Sequence, residues 1–417
     1  MLIIKKHLKE IFFLFLIILI FYKSPYIFLY GRFMAEEGSI FFSKAYSGNF
    51  VTSIFYIDFN SGYYNLWANT SAVIASWFKL EVSPLVTVYL SLIPKLFIFY
   101  FILYGNSFLF KNLKNKYIGC LIFLVSPAIV PEVWANTINS QLFFCLLMLI
   151  YCLEDFNKKK ISITIIVSVF FAGMSGLYSV ILTPIFFYKY KNFKNRQDKY
   201  NYYTILFCLI TQLIIVLYAK FNNLIYKGKI HFIDLELAIN FTYNVIFKSI
   251  FGLQSKIIIS FFNFDSIYYL LVILLFFIFI SYYLFKKFKT YLKKNIYVTI
   301  SLFYSFSAIS LFVMIGSVSN YIGGRYAVVP SILFLLIFMN IYNLLSASKI
   351  KYFFLTVIIA SICFGLYEYK TNNRYYKFLE CVSCPDWRTE VRNWREQPNY
   401  LLKIWPYTMN KTMSLKN

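Results

Sequence analysis

Apolar runs long enough to cross a bilayer recur along this chain, and short bursts of lysine separate them. The runs fall near 9–28, 83–104, 117–133, 138–153, 161–175, 177–189, 202–220, 266–284, 295–316, 326–345 and 350–367. They predict an all-α, polytopic integral membrane protein with about eleven transmembrane helices, because hydrocarbon leaves a spanning backbone no water to bond and a helix satisfies its own amides. The pair across 161–189 is interrupted at Gly173, Ser175 and Gly176 and reads either as two half-helices or as one kinked span.

The 417 residues are 60% hydrophobic and 14% charged, which excludes an ordinary soluble domain. A net charge of +24 would suit nucleic acid, but the basic residues come in bursts between apolar runs, as membrane topology requires, so no nucleic-acid partner is expected. Lys5/Lys6/Lys9, Lys111/Lys114/Lys116, Lys158 to Lys160, the cluster from Lys189 to Lys199, Lys286 to Lys294 and Lys349/Lys351 all fall on one side under this span count. That side reads as cytoplasmic and the membrane as the inner, plasma membrane, with the N-terminus inside and the C-terminus outside. Residues 29–82, 221–265 and the tail from Glu368 then face outward. The membrane domain is read as 1–367, with 29–82 its first outer loop carrying amphipathic segments, and 368–417 as an extra-cytoplasmic cap rich in Trp and Pro. The first run follows Lys5, Lys6 and Lys9 but no small-residue cleavage site follows it, so it reads as a retained helix.

Cys120, Cys145, Cys152, Cys208 and Cys363 lie in or beside apolar stretches, where a thiol behaves as a small hydrophobe. Cys381 and Cys384 sit in the polar tail and outside the cytoplasm could close a small disulfide loop. A zinc site is disfavoured, since His7 and His231 are far away in sequence.

Three polar features sit on the outward side. In Arg32-Phe-Met-Ala-Glu36-Glu37-Gly38, a carboxylate held in a partly desolvated cleft could act as a general base; a solvated interfacial pair is the alternative. Asp58 in the same loop is a second candidate base. The stretch from Pro131 to Gln141 carries Glu132, Trp134, Asn136, Asn139 and Gln141, which could bind sugar hydroxyls or cap helix ends. In Gly323-Gly324-Arg325-Tyr326, an arginine opens a membrane helix, where it could grip phosphate or serve as an interface anchor.

Taken in order, these features resemble the GT-C superfamily of multi-spanning glycosyltransferases, and more closely a poorly characterised bacterial branch of it. The resemblance lies in Arg32–Gly38, Glu132–Gln141, Gly176-Leu-Tyr-Ser179 with Pro184, Arg325–Pro330, and Trp387 through Trp394 to Ile404-Trp405-Pro406. It implies a sugar donor on a polyprenyl phosphate and an extra-cytoplasmic glycan or lipid acceptor, joined with inversion in one displacement. Glu36 or Glu37 would take the acceptor proton, in the place where the family often has Asp. Arg325, with Arg32 and Tyr326, would hold the departing phosphate. No metal is required, although Glu36, Glu37 and Asp58 could ligate a divalent ion. A flippase or transporter is the rival from another class, but it would need ionisable groups within the spans, where Lys95 is the main exception. An O-antigen-type polymerase would need arginines in a large outer loop, and 221–265 has none. A purely structural membrane subunit is the remaining alternative.

Overall fold

The computed structural model describes residues 7–127, 131–156, 161–224, 235–255, 293–316, 324–345, 349–371, 386–397, 399–405 and 411–415. Among them, five helices are long and apolar enough to cross a membrane: Ser83–Tyr104, Arg196–Phe221, Asn295–Gly316, Arg325–Leu344 and Lys349–Tyr369. The all-α membrane reading therefore stands, whereas about eleven spans is more than the described residues supply. The run at 266–284 lies outside the described residues. Other runs form shorter helices, and local chemistry shows why. The run at 9–28 divides into Leu8–Lys23 and Pro25–Tyr30 at Ser24, because a residue before proline is pushed out of helical geometry. The run at 117–133 ends its helix, Leu113–Val125, ahead of Ser126-Pro127. The stretch 161–189 becomes Ile163–Met174, Leu177–Val180 and Thr183–Phe193, broken at Gly176, whose φ is +101°.

Burial sorts the helices. All of Ser140–Leu153 is buried, and so is most of Arg325–Leu344. Arg196–Phe221 instead leaves Phe207, Ile210, Ile214, Leu217 and Phe221 exposed. An apolar side chain left uncovered on a long apolar helix is what a lipid-facing surface requires.

One end of the bundle is tied by polar groups from the lysine-rich connections. The Phe108 amide donates to the Leu153 carbonyl at 2.8 Å, and the Lys111 ammonium donates to Asn295 at 3.0 Å. Lys189 pairs with Asp198 at 2.9 Å, both side chains almost fully buried, and donates to the carbonyls of Tyr151 and Glu154 at 2.8 and 2.7 Å.

The opposite end carries a second, smaller core. Phe33, Phe42, Ala72 and Leu80 from the first loop pack with Trp387, Val391, Trp394, Leu402 and Ile404 from the tail. In the Trp387–Glu396 helix the apolar residues recur at 387, 391 and 394, one face of a 3.6-residue period. Leu402–Lys403 pairs antiparallel with Thr412–Met413, and the Trp405 amide donates to the Phe33 carbonyl at 2.9 Å. Trp387 Nε1 donates to the Leu80 carbonyl at 2.8 Å. The described tail segments, 386–397, 399–405 and 411–415, thus form a cap packed on the first loop. The Leu66–Ser76 helix of the first loop is buried along most of its length, packed against the Ser83–Tyr104 helix and against residues 37–42.

Candidate functional site

The two glutamates of the first loop part company. Glu37 opens a π-helix, Glu37–Phe42, after Ala35 turns the chain in the left-handed region at φ +47°. Its carboxylate is 1% exposed. It accepts from the Thr137 amide at 2.8 Å, from the Thr137 hydroxyl, and from the Met34 amide at 3.4 Å. Gly38 makes this possible, since a Cβ there would stand 2.8 Å from Phe33 Cβ. Glu36 faces the other way, half exposed and 4.0 Å from the Lys411 ammonium. Arg32 donates to the Tyr26 hydroxyl at 3.1 Å and stacks near Tyr26 and Trp405. Arg32 therefore packs against Trp405 of the cap, Glu36 lies at the exposed edge of the cap beside Lys411, and Glu37 belongs to the seam between the first loop and the 136–141 turn.

Burial pushes the Glu37 carboxyl up to about 7, against the Thr137 and Met34 donors that pull it down. With an ordinary value of 4.5, the folded protein binds the extra proton between pH 4.5 and about 7. The stabilising contribution of the neutral acid is complete below 4.5 and is lost as pH rises through 7, on the order of 3 kcal/mol. Glu37→Gln should flatten that part of the curve of melting temperature against pH relative to the unsubstituted protein. Parallel curves from pH 4 to 8 would remove this account.

Asp58 is placed differently. Its carboxylate accepts from the Ser61 hydroxyl, and the residue, 8% exposed, lines an open groove of about 800 Å³ shared with Lys44, Thr52, Tyr56, Asn60 and Leu224. Leu224 follows the Arg196–Phe221 helix, so the groove lies where a lipid-facing helix meets the first loop. Five residues on, Tyr63 links this loop to the third feature. The Tyr63 hydroxyl accepts from Gln141 Nε2 at 3.1 Å. Burial raises its pKa; the Arg325 charge pulls it down and the Asp58 charge pushes it up.

Arg325 starts its helix immediately after Gly324, at φ +58°. The guanidinium lies 5.3 Å from the centre of the Tyr326 ring, and Nη2 is 3.5 Å from the Tyr326 hydroxyl. Tyr178 is within electrostatic reach of Arg325, Tyr326 and Tyr63. Gly176 explains part of this assembly: a Cβ there would stand 2.0 Å from Gln141 Oε1, so only glycine lets the 176–179 turn lie against Gln141.

The two readings of the 131–141 stretch divide residue by residue. Asn136 Oδ1 accepts from the amides of Ile138 and Asn139 at 2.7 and 3.3 Å, which caps the turn. Asn139 is buried at the start of Ser140–Leu153. Gln141 reaches the candidate site through Tyr63. The Glu132 side chain lies outside the described residues, as do Cys381 and Cys384. No group of three or more His, Cys, Asp or Glu able to hold a metal occurs among the described residues. Glu36, Glu37 and Asp58 turn to Lys411, Thr137 and Ser61 respectively, so the ligand set imagined for a divalent ion is not assembled.

Tyr63, Thr137 and Gln212 are the residues sequence reasoning passed over, and Tyr178 entered only as part of the Gly176–Ser179 motif. Gln212, buried within the Arg196–Phe221 helix, accepts from the Tyr64 amide at 3.1 Å and donates to the Tyr64 carbonyl at 2.9 Å. An uncharged amide inside an apolar run was the available signal for it. The tyrosines gave none in a chain with 38 of them. The chain matches no protein-family model, no curated protein and no solved structure.

Proposed function

We propose that the protein is a membrane glycosyltransferase that moves a sugar from a polyprenyl-phosphate donor to a glycan or lipid acceptor on the extra-cytoplasmic face of the plasma membrane. The observation that supports this reading is an acid in the wall of an open groove, Asp58, on the loop whose Tyr63 hydroxyl accepts from Gln141 Nε2 at 3.1 Å. The base is reassigned from Glu36 or Glu37 to Asp58. Glu37 spends its lone pairs on Thr137 and Met34, whereas Asp58 borders space a substrate can enter.

In this reaction the acceptor hydroxyl gives its proton to Asp58 as its oxygen forms the new bond to the anomeric carbon. The bond from that carbon to the phosphate oxygen breaks, and the electron pair leaves with the lipid phosphate. Arg325 stabilises the charge growing on that phosphate, a role suited to a planar, permanently charged group. Gln141 and Tyr63 orient the sugar between the two.

The test uses purified protein in lipid vesicles with a polyprenyl-phosphate sugar, and measures release of free lipid phosphate. Arg325→Ala should raise the donor KM by about tenfold or more, with acceptor KM little changed, since a charged hydrogen bond contributes about 1.5–3 kcal/mol. An unchanged donor KM would withdraw the assignment of Arg325. Movement of intact lipid-linked sugar between leaflets without any phosphate release would favour a transporter and sink the transferase reading.

A further inference from the structure

The helices Leu8–Lys23 and Pro25–Tyr30 carry one uncovered apolar stripe. Ile11, Leu14, Ile18, Tyr22, Pro25 and Leu29 are exposed along it, at steps of three or four residues that an α-helix lines up on one side. Such a stripe, left uncovered by the rest of the bundle, is a surface for lipid. Arg32 stands at its end. Gly31 turns the chain there at φ +64°, and a Cβ on it would stand 2.7 Å from the Leu85 amide nitrogen, so only glycine lets the turn lie against the Ser83–Tyr104 helix. The turn sends the Arg32 side chain back beside the helix just completed. Nη2 donates to the Tyr26 hydroxyl at 3.1 Å, and the guanidinium lies 5.5 Å from the Tyr26 ring centre and 5.7 Å from that of Trp405. An arginine that served only as a water-side anchor would reach away from the apolar stripe. Arg32 is half-buried, and no carboxylate pairs with it among the described residues. The exposed Tyr30 stands beside this place, its ring 4.6 Å from that of Tyr26.

We infer that Arg32 is the headgroup site of a bound bilayer phospholipid, with the phosphodiester gripped by the guanidinium and an acyl chain lying along Leu29, Tyr22 and Ile18. The planar fork of an arginine matches two phosphate oxygens at once. Tyr26 and Trp405 orient that fork, but ring faces supply only partial negative charge and leave the full counter-charge to a ligand. The stripe selects the class of ligand, because a phosphate at Arg32 and hydrocarbon against Leu29 are needed together, and an amphiphile carries both. Trp405 ties this place to the cap, since its amide donates to the Phe33 carbonyl at 2.9 Å. The lipid therefore braces the joint between the first helices and the cap. This site is separate from the donor grip assigned to Arg325 and does not depend on the transferase reading.

Native mass spectrometry of the full chain, released from an uncharged detergent and titrated with phosphatidylglycerol, reads the affinity of the first lipid retained. Arg32→Gln should weaken that affinity about tenfold or more, because a charge-assisted hydrogen bond is lost. Arg32→Lys, which keeps the charge without the planar fork, should fall between the two proteins. Diacylglycerol with the same chains lacks the phosphate and should bind the original protein no better than it binds Arg32→Gln. An excess of inorganic phosphate should leave the bound lipid in place; displacement would assign a pocket for small anions and overturn the lipid site. Equal phosphatidylglycerol affinity in the original protein and Arg32→Gln would also overturn it. Should Arg32→Gln fail to accumulate, an affinity in Arg32→Lys equal to the original's would overturn it in the same way.

Discussion

Asp58→Asn is expected to lower sugar transfer by about 10²–10⁴-fold, the range over which a positioned general base contributes. The substitution keeps the shape of the side chain and its place against Ser61, so the loop should fold as before, and the amide has no basic lone pair to take the acceptor proton. Glu36→Gln should leave the rate close to normal, because that side chain faces Lys411 at 4.0 Å, at the exposed edge of the cap. Comparing turnover of the two variants, at membrane levels confirmed to be equal, separates the candidate acids of the first loop. Full activity in Asp58→Asn would return the search for a base to Glu37.

The second large effect concerns stability at the other end of the bundle. Asp198→Ala should destabilise the protein by about 3–5 kcal/mol, because it strands the Lys189 ammonium in a buried place built for a charge pair. Lys189 would retain the carbonyls of Tyr151 and Glu154 at 2.8 and 2.7 Å, which are dipoles and not a counter-charge. Replacing both partners at once, with Lys189→Met and Asp198→Leu, should recover most of the loss, since well-packed apolar groups can stand in for a buried ion pair. Unfolding in detergent followed by intrinsic fluorescence measures both. A single variant as stable as the original would mean that water reaches the pair.

The bearing of sequence on the site varies residue by residue. Arg325 was legible as an arginine that opens an apolar helix, and its guanidinium lies 5.3 Å from the centre of the Tyr326 ring. The adjacent glutamates drew attention by being paired, yet adjacency in a turning segment sends successive side chains to different places, and neither meets the groove. Asp58 looked weaker because a lone aspartate in a loop is common. Its difference lies in what surrounds it, which is a groove made by residues from 44 to 60 together with Leu224. The cap shows the same limit. Its tryptophans announced packing, but that they would pack with Phe33, Phe42 and Leu80 requires knowing that the two ends of the chain meet.

Hydrophobicity is a property each residue carries with it, so the apolar runs alone specified a helical membrane protein and the approximate place of the long helices among the described residues, while the stops at Ser24-Pro25 and Ser126-Pro127 cut two runs that read as continuous. Partnership is not carried by any residue. Which acid lines open space and which threonine or glutamine closes on the first loop depend on contacts between segments a hundred or more positions apart. Those pairings come from packing, which sequence periodicity does not encode.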